Sequence, residues 1–89
     1  EALKINPNVP EIWFNKGNAH LQMKNYTQAV QDYTNAINRD KDYGEAYYNR
    51  GLTLIYLQDR SRGCLDMSKA GELGIEEAYK VINRYCDDN

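Results

Sequence analysis

The fold is decided by the stretch EIWFNKG at residues 11–17, because the chain repeats its pattern as EAYYNRG at residues 45–51. The two stretches lie 34 residues apart and share a glutamate, an asparagine and a glycine, with aromatic and basic residues at matching places between them. The same shift aligns other identical residues, among them Asp32 with Asp66 and Ala36 with Ala70. A period of this length is typical of proteins built from stacked structural repeats.

Each unit of the repeat contains two amphipathic helices. In the first unit, apolar residues recur three and four positions apart around Ile12 and Trp13, and a second apolar stripe follows from Ala29 to Ile37. A fifth helix is expected from about Ile75 to Cys86. The predicted N-caps are Asn8, Asn25, Asp42 and Asp59, and the predicted stops of the fourth helix are Gly71 and Gly74. No segment has the alternation of a strand.

These residues resemble the tetratricopeptide repeat, whose pattern is W-x2-L-G-x2-Y, then A-x3-F, then a proline. The first unit reads Trp13-x2-Lys16-Gly17-x2-His20, then Ala29-x3-Tyr33 and Ala36. The second reads Tyr47-x2-Arg50-Gly51-x2-Leu54, then Gly63-x3-Met67 and Ala70. The resemblance implies an all-α fold, a right-handed α-α superhelix of antiparallel helix pairs.

The resemblance also divides the chain into parts. Residues 1–9 correspond to the tail of a preceding repeat, residues 10–43 and 44–74 to two units, and residues 75–89 to a C-terminal capping helix that is similar in part to Sel1-like repeats. The structural positions are Trp13, Gly17, Ala29, Tyr33, Ala36, Tyr47, Gly51, Gly63, Met67 and Ala70. We expect Gly17 to face Ala29, and Gly51 to face Gly63, because small residues let paired helices approach closely.

In this family the first helix of each unit lines a concave groove. The positions that face it correspond here to Glu11, Phe14, Asn18, Leu21, Gln22, Glu45, Tyr48, Leu52, Ile55 and Tyr56. Phe14, Tyr48 and Tyr56 have no assigned place in the hairpin core, and exposed aromatic rings supply binding energy at low entropic cost. The resemblance therefore implies a scaffold that binds a protein or peptide in this groove, without catalysis of its own.

Two alternatives remain open for the same residues. Tyr48 and Tyr56 could fold back over neighbouring helices, which would leave the groove without its aromatic contacts. The repeats could also serve assembly, by stacking on further repeats or by self-association through the N-terminal face that contains Ile12, Lys16 and Ala19. Apolar area left uncovered on that face would drive the association.

Some family members hold a partner's C-terminal carboxylate with asparagines and basic residues. Asn18 and Asn49 match this pattern. Phe14 replaces the expected lysine, and Tyr79 and Asn83 occupy the positions where the family would have further basic residues. With two of five positions matched, the sequence does not favour a carboxylate clamp.

Composition excludes several other function classes. The net charge is −2, with 13 acidic and 11 basic residues, so a nucleic-acid interface and a polybasic membrane attachment are not expected. No apolar run approaches the roughly 20 residues of a membrane span. One histidine and two cysteines are too few for a zinc or iron–sulfur site. We expect no cofactor, no metal and no catalytic residue, and we expect His20 to pack in the core.

Cys64 and Cys86 lie at equal distances in sequence on either side of Ile75. In an antiparallel hairpin such residues reach the same height, so a disulfide can form if their side chains face each other. In the alternative, Cys64 is a small core residue and Cys86 a half-buried thiol. A bridge would favour an extracytoplasmic location, because cytosolic disulfides are rare, and free thiols a cytoplasmic one.

Overall fold

The computed structural model describes residues 9–86, which form five α-helices and a final π-helical turn. The helices are α1 (Pro10–Gln22), α2 (Tyr26–Arg39), α3 (Gly44–Tyr56), α4 (Arg60–Glu72) and α5 (Glu77–Val81), and the π-helix is Ile82–Cys86. No strand occurs within residues 9–86. This confirms the predicted all-α fold, while the predicted tail at residues 1–9 lies almost wholly outside the described residues.

The helices form a continuous series of packed pairs. α1 packs against α2 and α3 against α4, while α2 also contacts α3, and α4 also contacts α5. α1 and α3 each contain 13 residues and begin 34 residues apart, so the sequence period is reproduced in space. α1 also touches α3, whereas the described residues show no comparable contact between α2 and α4. The stack therefore curves, with α1 and α3 on its inner side.

The helix starts follow the predicted caps only in part. Asp59 caps α4, because its carboxylate accepts a hydrogen bond from the Arg62 N–H at 3.3 Å. Asn25 precedes α2 as predicted, but its side chain makes no capping bond. The N-cap of α3 is Tyr43 rather than Asp42, whose own N–H donates to the aspartate two residues earlier. The predicted cap Asn8 lies outside the described residues.

Three helices end with the same backbone geometry. Lys24, Gln58 and Gly74 have positive φ angles of 62°, 67° and 101°. The residue after each of them donates its N–H to the carbonyl five positions earlier, which satisfies a free acceptor at the helix end. Gly74 is therefore a stop, as predicted. Gly71 is not, because it lies inside α4, where a Cβ would meet the ring of Tyr79 at 2.7 Å.

The close approach inside each hairpin has a different partner in the two units. A Cβ on Gly51 would lie 2.9 Å from the carbonyl oxygen of Gly63, so the predicted contact between these glycines is confirmed. A Cβ on Gly17 would first meet the Tyr33 ring, at 2.6 Å, rather than Ala29. Tyr33 is larger than Met67, its equivalent in the second unit, and its ring fills the space beside Gly17.

The predicted structural residues form the core and its edge. The fully buried side chains among them are those of Ala29, Tyr33, Ala36, Met67 and Ala70. Trp13 and Tyr47 are half-buried and pack against a cluster formed by Ala36, Ile37 and Ala46. A second cluster joins Met67 and Ala70 to Ala78. Ala46 and Ala78, which the sequence analysis did not single out, thus hold α3 and α5 to the helices before them.

The C-terminal segment (residues 75–86) repeats the start of α3 with a shorter step. The Ala46 N–H donates to the Tyr43 carbonyl, and the Ala78 N–H donates to the Ile75 carbonyl; both alanines are fully buried. These equivalent residues lie 32 positions apart, whereas equivalent residues of the two units lie 34 apart. The helix predicted from about Ile75 to Cys86 is present as α5 and the π-helix, so it begins at Glu77 and its last five residues are π-helical.

Candidate partner-binding groove

The predicted groove residues occupy two kinds of environment. The exposed ones are Glu11, Gln22, Glu45 and Tyr56. The half-buried ones are Phe14, Asn18, Leu21, Tyr48, Leu52 and Ile55. All of them lie on α1 and α3, the helices of the inner side, but their neighbours differ enough to separate core contacts from accessible surface.

Phe14 belongs to the core rather than to the open groove. Its ring centroid lies 4.9 Å from that of Tyr43 and 5.8 Å from that of Tyr33. It also packs against the cluster that contains Ala36 and Ala46. The sequence analysis assigned Phe14 no core position because it considered contacts within one hairpin, and Tyr43 belongs to the connection that leads into α3.

The two tyrosines of α3 behave differently. Tyr48 packs against the cluster of Met67, Ala70 and Ala78, and burial, with added effects of the Glu77 and Tyr56 charges, raises its pKa above the usual value. Tyr56 is 52% exposed, and its ring centroid lies 5.5 Å from that of Tyr26 at the start of α2. Tyr48 is thus partly covered by the core cluster beside the C-terminal segment. Tyr56 packs on the start of α2, as the alternative interpretation described.

Asn18 and Asn49 form a hydrogen-bond network with Tyr33. The side-chain oxygen of Asn18 accepts from the Tyr33 hydroxyl at 2.5 Å and from the Asn49 amide at 2.9 Å. Burial raises the pKa of Tyr33 to about 12, against a smaller lowering by the hydrogen bond with Asn49. The network joins α1, α2 and α3, so the two asparagines first of all hold three helices together.

A cavity of about 230 Å³ lies between α3 and the C-terminal segment. Tyr48, Val81 and Tyr85 provide its aromatic and apolar wall, and its charged side chains are Glu77, Lys80 and Arg84. Here the inner surface of the stack combines apolar area with two cations.

The 32-residue step explains why Lys80 and Arg84 lie there. Lys80 is equivalent to Tyr48, and Arg84 to Leu52, both of which are predicted groove positions. A continued 34-residue period would instead align Ile82 and Cys86 with Tyr48 and Leu52. That alignment is wrong for α5, since the residue that enters the core is Ala78.

A second cavity adjoins the first at the other end of α3. It has a volume of about 580 Å³ and is lined by Ile55, Gln58, Asp59, Arg60, Ser61 and Tyr85. Tyr85 lines both cavities and is 41% exposed. The inner surface therefore continues from Glu77 to the turn between α3 and α4, with the Tyr85 ring between its two halves.

Two buried carboxylates are paired inside the hairpins. Asp32 binds His20 at 2.6 Å, and Asp66 binds Arg50 through two contacts of 2.7 and 2.8 Å. The hydrogen bond from Arg50 to Asp66 raises the arginine pKa. These pairs satisfy charges between packed helices, so His20, the only histidine, has the packing role that the sequence analysis expected.

The structure contains the disulfide between Cys64 and Cys86, with their Cα atoms 5.8 Å apart. The bridge joins α4 to the last residue of the π-helix, and both cysteines are half-buried. The equal heights expected from the sequence are confirmed. The bridge alone does not assign the chain to a compartment, so location stays a prediction.

The described range offers neither a metal site nor a membrane-spanning helix. Residues 9–86 contain no group of three or more histidine, cysteine, aspartate or glutamate side chains placed to hold a metal ion. None of the helices there is long and apolar enough to cross a bilayer.

Comparison with known proteins gives a consistent result. Residues 10–43 match the family model of the tetratricopeptide repeat. The chain is 31% identical over 93 residues to the E3 ubiquitin-protein ligase CHIP of Arabidopsis thaliana, a match that covers 94% of the chain and 34% of the relative. It is 26% identical over 90 residues to a Protein SGT1 homolog of Oryza sativa subsp. japonica, covering 99% of the chain and 24% of the relative.

A shorter match exists to Neutrophil cytosol factor 2 of Homo sapiens, with 34% identity over 59 residues, 66% of the chain and 11% of the relative. The chain thus spans about a third or less of the length of each relative. The boundaries of the second unit and the Sel1-like character of the C-terminal segment stay predictions.

Proposed function

Because this chain belongs to the tetratricopeptide repeat family, whose members act in protein–protein interaction, we propose that it holds an extended peptide of a partner protein between α3 and the C-terminal segment. The family is typically non-catalytic, so the chain acts by binding. The observation that carries the proposal is the cavity of about 230 Å³, in which Tyr48 and Val81 adjoin Lys80 and Arg84.

The spacing of the two cations matches an extended peptide. Lys80 and Arg84 are four residues apart and line the same cavity, so their charges lie about one helical turn apart. In an extended chain, residues i and i+2 point to the same side and lie about 6.6 Å apart. A partner segment with acidic side chains at i and i+2 can therefore meet both cations, while a neighbouring apolar side chain packs against Tyr48.

The charges of the inner surface also orient the peptide. Glu45 and Glu77 occupy equivalent positions at the starts of α3 and α5, and both are exposed. They repel acidic residues from that end of the groove, whereas Lys80 and Arg84 attract them further along α5. Charge complementarity of this kind fixes direction and suppresses wrong partners. We therefore expect the acidic part of the peptide near Arg84.

The test is a fluorescence anisotropy titration with the labelled peptide Gly-Leu-Gly-Asp-Gly-Asp, prepared as a C-terminal amide. We expect saturable binding, and we expect Lys80→Glu and Arg84→Glu each to weaken it at least about tenfold, or about 1.4 kcal/mol. The matched control is Lys41→Glu, because Lys41 is an exposed lysine outside both cavities. Equal weakening by all three variants would mean that net charge alone attracts the peptide.

A free-acid version of the same peptide addresses the carboxylate clamp. Tighter binding of the free acid would assign one of the two negative charges to the partner's C-terminus. Equal affinities would assign both charges to side chains. Size-exclusion chromatography of the unbound protein tests the assembly alternative, which predicts a dimer that Ile12→Asp disrupts and unchanged peptide affinity in the Arg84→Glu variant.

A further inference from the structure

We propose that the disulfide between Cys64 and Cys86 is a reversible latch that holds the peptide groove in its binding form. The proposal rests on the function proposed above, because the latch acts on that same groove. When the bridge is intact, the end of the C-terminal segment is fixed against α4. When it is reduced, the π-helix loosens and the groove loses one of its two cations and one of its walls.

The C-terminal segment is held by different means at its two ends. Near its start, Ala78 is fully buried, and Val81 and Ile82 pack against the cluster around Met67. Residues 83–85 are exposed, although the π-helix as a whole lies against α4. Cys86 then returns the chain to α4 through the bridge. The covalent bond is therefore the one anchor of this end that a change of redox state can remove.

A free π-helical turn does not persist by itself. π-helices are rare and occur mostly as single turns, and short isolated helices are marginal in water because nucleation is costly. The π-helix here has five residues. Once the bridge opens, its backbone hydrogen bonds compete with water and are supported only by the packing of a short turn whose residues 83–85 are exposed. We therefore expect residues 83–86 to fray while α5 stays in place.

The residues that would fray are those that complete the groove. Arg84 is the second of the two cations, and Tyr85 separates the two cavities. Lys80 and Tyr48 lie on elements that the core holds independently of the bridge. The reduced protein thus keeps half of the recognition site, so its affinity should fall by about as much as it does on removal of Arg84.

The chemistry of opening requires a thiol reductant such as a dithiol. A thiolate of the reductant attacks one bridge sulfur, forms a mixed disulfide and releases the other cysteine as a thiolate, which takes up a proton. The second thiol of the reductant then displaces the first cysteine and closes a disulfide within the reductant. Two electrons and two protons pass to the protein, and both cysteines end as thiols.

The experiment is the same anisotropy titration, carried out on oxidised protein, on protein reduced with dithiothreitol, and on the Cys64→Ser/Cys86→Ser variant with and without reductant. We expect reduction to weaken peptide binding by wild type about tenfold and reoxidation to restore it. The double variant should bind like the reduced protein and should not respond to reductant. Hydrogen exchange should accelerate in residues 83–86 and stay unchanged in α1 to α3.

The Arg84→Ala variant distinguishes a bridge that positions groove residues from one that stabilises the whole chain. If the bridge acts by placing Arg84 and Tyr85, this variant binds weakly when oxidised and loses little more on reduction, so the two effects are not additive. Equal affinities of oxidised and reduced wild type would overturn the latch alone. Accelerated hydrogen exchange throughout the chain on reduction would also overturn the latch, because the bridge would then stabilise the whole chain. Failure of the oxidised protein to bind would overturn the proposed function, and the latch with it.

Discussion

Asp32 and Asp66 occupy equivalent positions of the two units, and both are buried, at 5% and 7% exposure. Asp32 is paired with His20, within the hairpin of α1 and α2. Asp66 is paired with Arg50, which also donates to Thr34 on α2 and so connects the second hairpin to the first. A buried carboxylate must have a partner, but either of two neighbouring turns of the facing helix can supply it.

The comparison extends to the positions that do not pair with the aspartates. Lys16 is equivalent to Arg50, yet its ammonium group lies 4.5 Å from the centroid of the Trp13 ring. Leu54 is equivalent to His20 and is almost fully buried. The two units therefore keep one backbone arrangement. They differ in which turn of the first helix supplies the side chain that binds the aspartate. A repeat constrains where a charge must be neutralised more strongly than it constrains the residue that neutralises it.

The largest difference between the units should appear when the aspartates are removed. Asp66→Ala leaves Arg50 charged and mostly buried, because arginine does not give up its proton, and we expect a loss of about 3 kcal/mol in unfolding free energy. Asp32→Ala should cost about 1 kcal/mol, because it removes one hydrogen bond from a ring that is 26% exposed and can bind water instead. Urea denaturation measures both. Asp42→Ala, at an exposed position, is the control; equal losses for Asp32 and Asp66 would contradict the comparison.

An intermediate effect is expected at the helix contacts. Gly51→Ala places a methyl group against the Gly63 carbonyl, so the helices must separate, at a cost of about 2–3 kcal/mol. Gly17→Ala meets the Tyr33 ring, which can shift at a cost of about 1–2 kcal/mol and loses its bond to Asn18. Thermal unfolding ranks the two. A Tyr33→Met background, which copies the second unit, should make Gly17→Ala milder; an unchanged cost would show that the ring is not the obstacle.

The smallest effect concerns alkaline pH and the first unit alone. The pKa of Tyr33 is about 12 in the folded chain and about 10 when unfolded, so the folded state binds more protons between these values. Stability is therefore unaffected by Tyr33 below pH 10 and falls as pH rises through that window, by about 1 kcal/mol at pH 11. Denaturation at several pH values should show this slope reduced in Tyr33→Phe. An identical slope would contradict the burial of the hydroxyl.

Much of the fold was predictable because it depends on local pattern and on small residues. The 34-residue period predicted the helices of both units. The contact between Gly51 and Gly63 was predictable because neither glycine has a side chain to keep the two helix axes apart. The contact of Gly17 with Tyr33 did not follow, because it depends on how a large ring fills space.

The candidate site was predicted less completely. Tyr48 was identified from its place on α3, but the core contacts of Phe14 were not predicted, because one of its two ring partners, Tyr43, lies outside the hairpin. Lys80 and Arg84 were missed because the step into α5 is shorter than the period. The sequence feature that could have identified them is Ala78. It is a small residue among larger ones, and it corresponds to the buried Ala46 of α3.

The buried alanines of α3 and α5 act as markers of rotational phase. A helix turns by about 100° per residue, so two residues of misalignment turn a side chain by about 200° and exchange the inner and outer faces. In longer arrays of such hairpins, binding surfaces transferred between proteins should therefore be aligned on the small residue that enters the core, as Ala46 and Ala78 do here. An alignment that instead adds a fixed 34 residues from the previous unit would place the outer-face residues of such a helix in the groove.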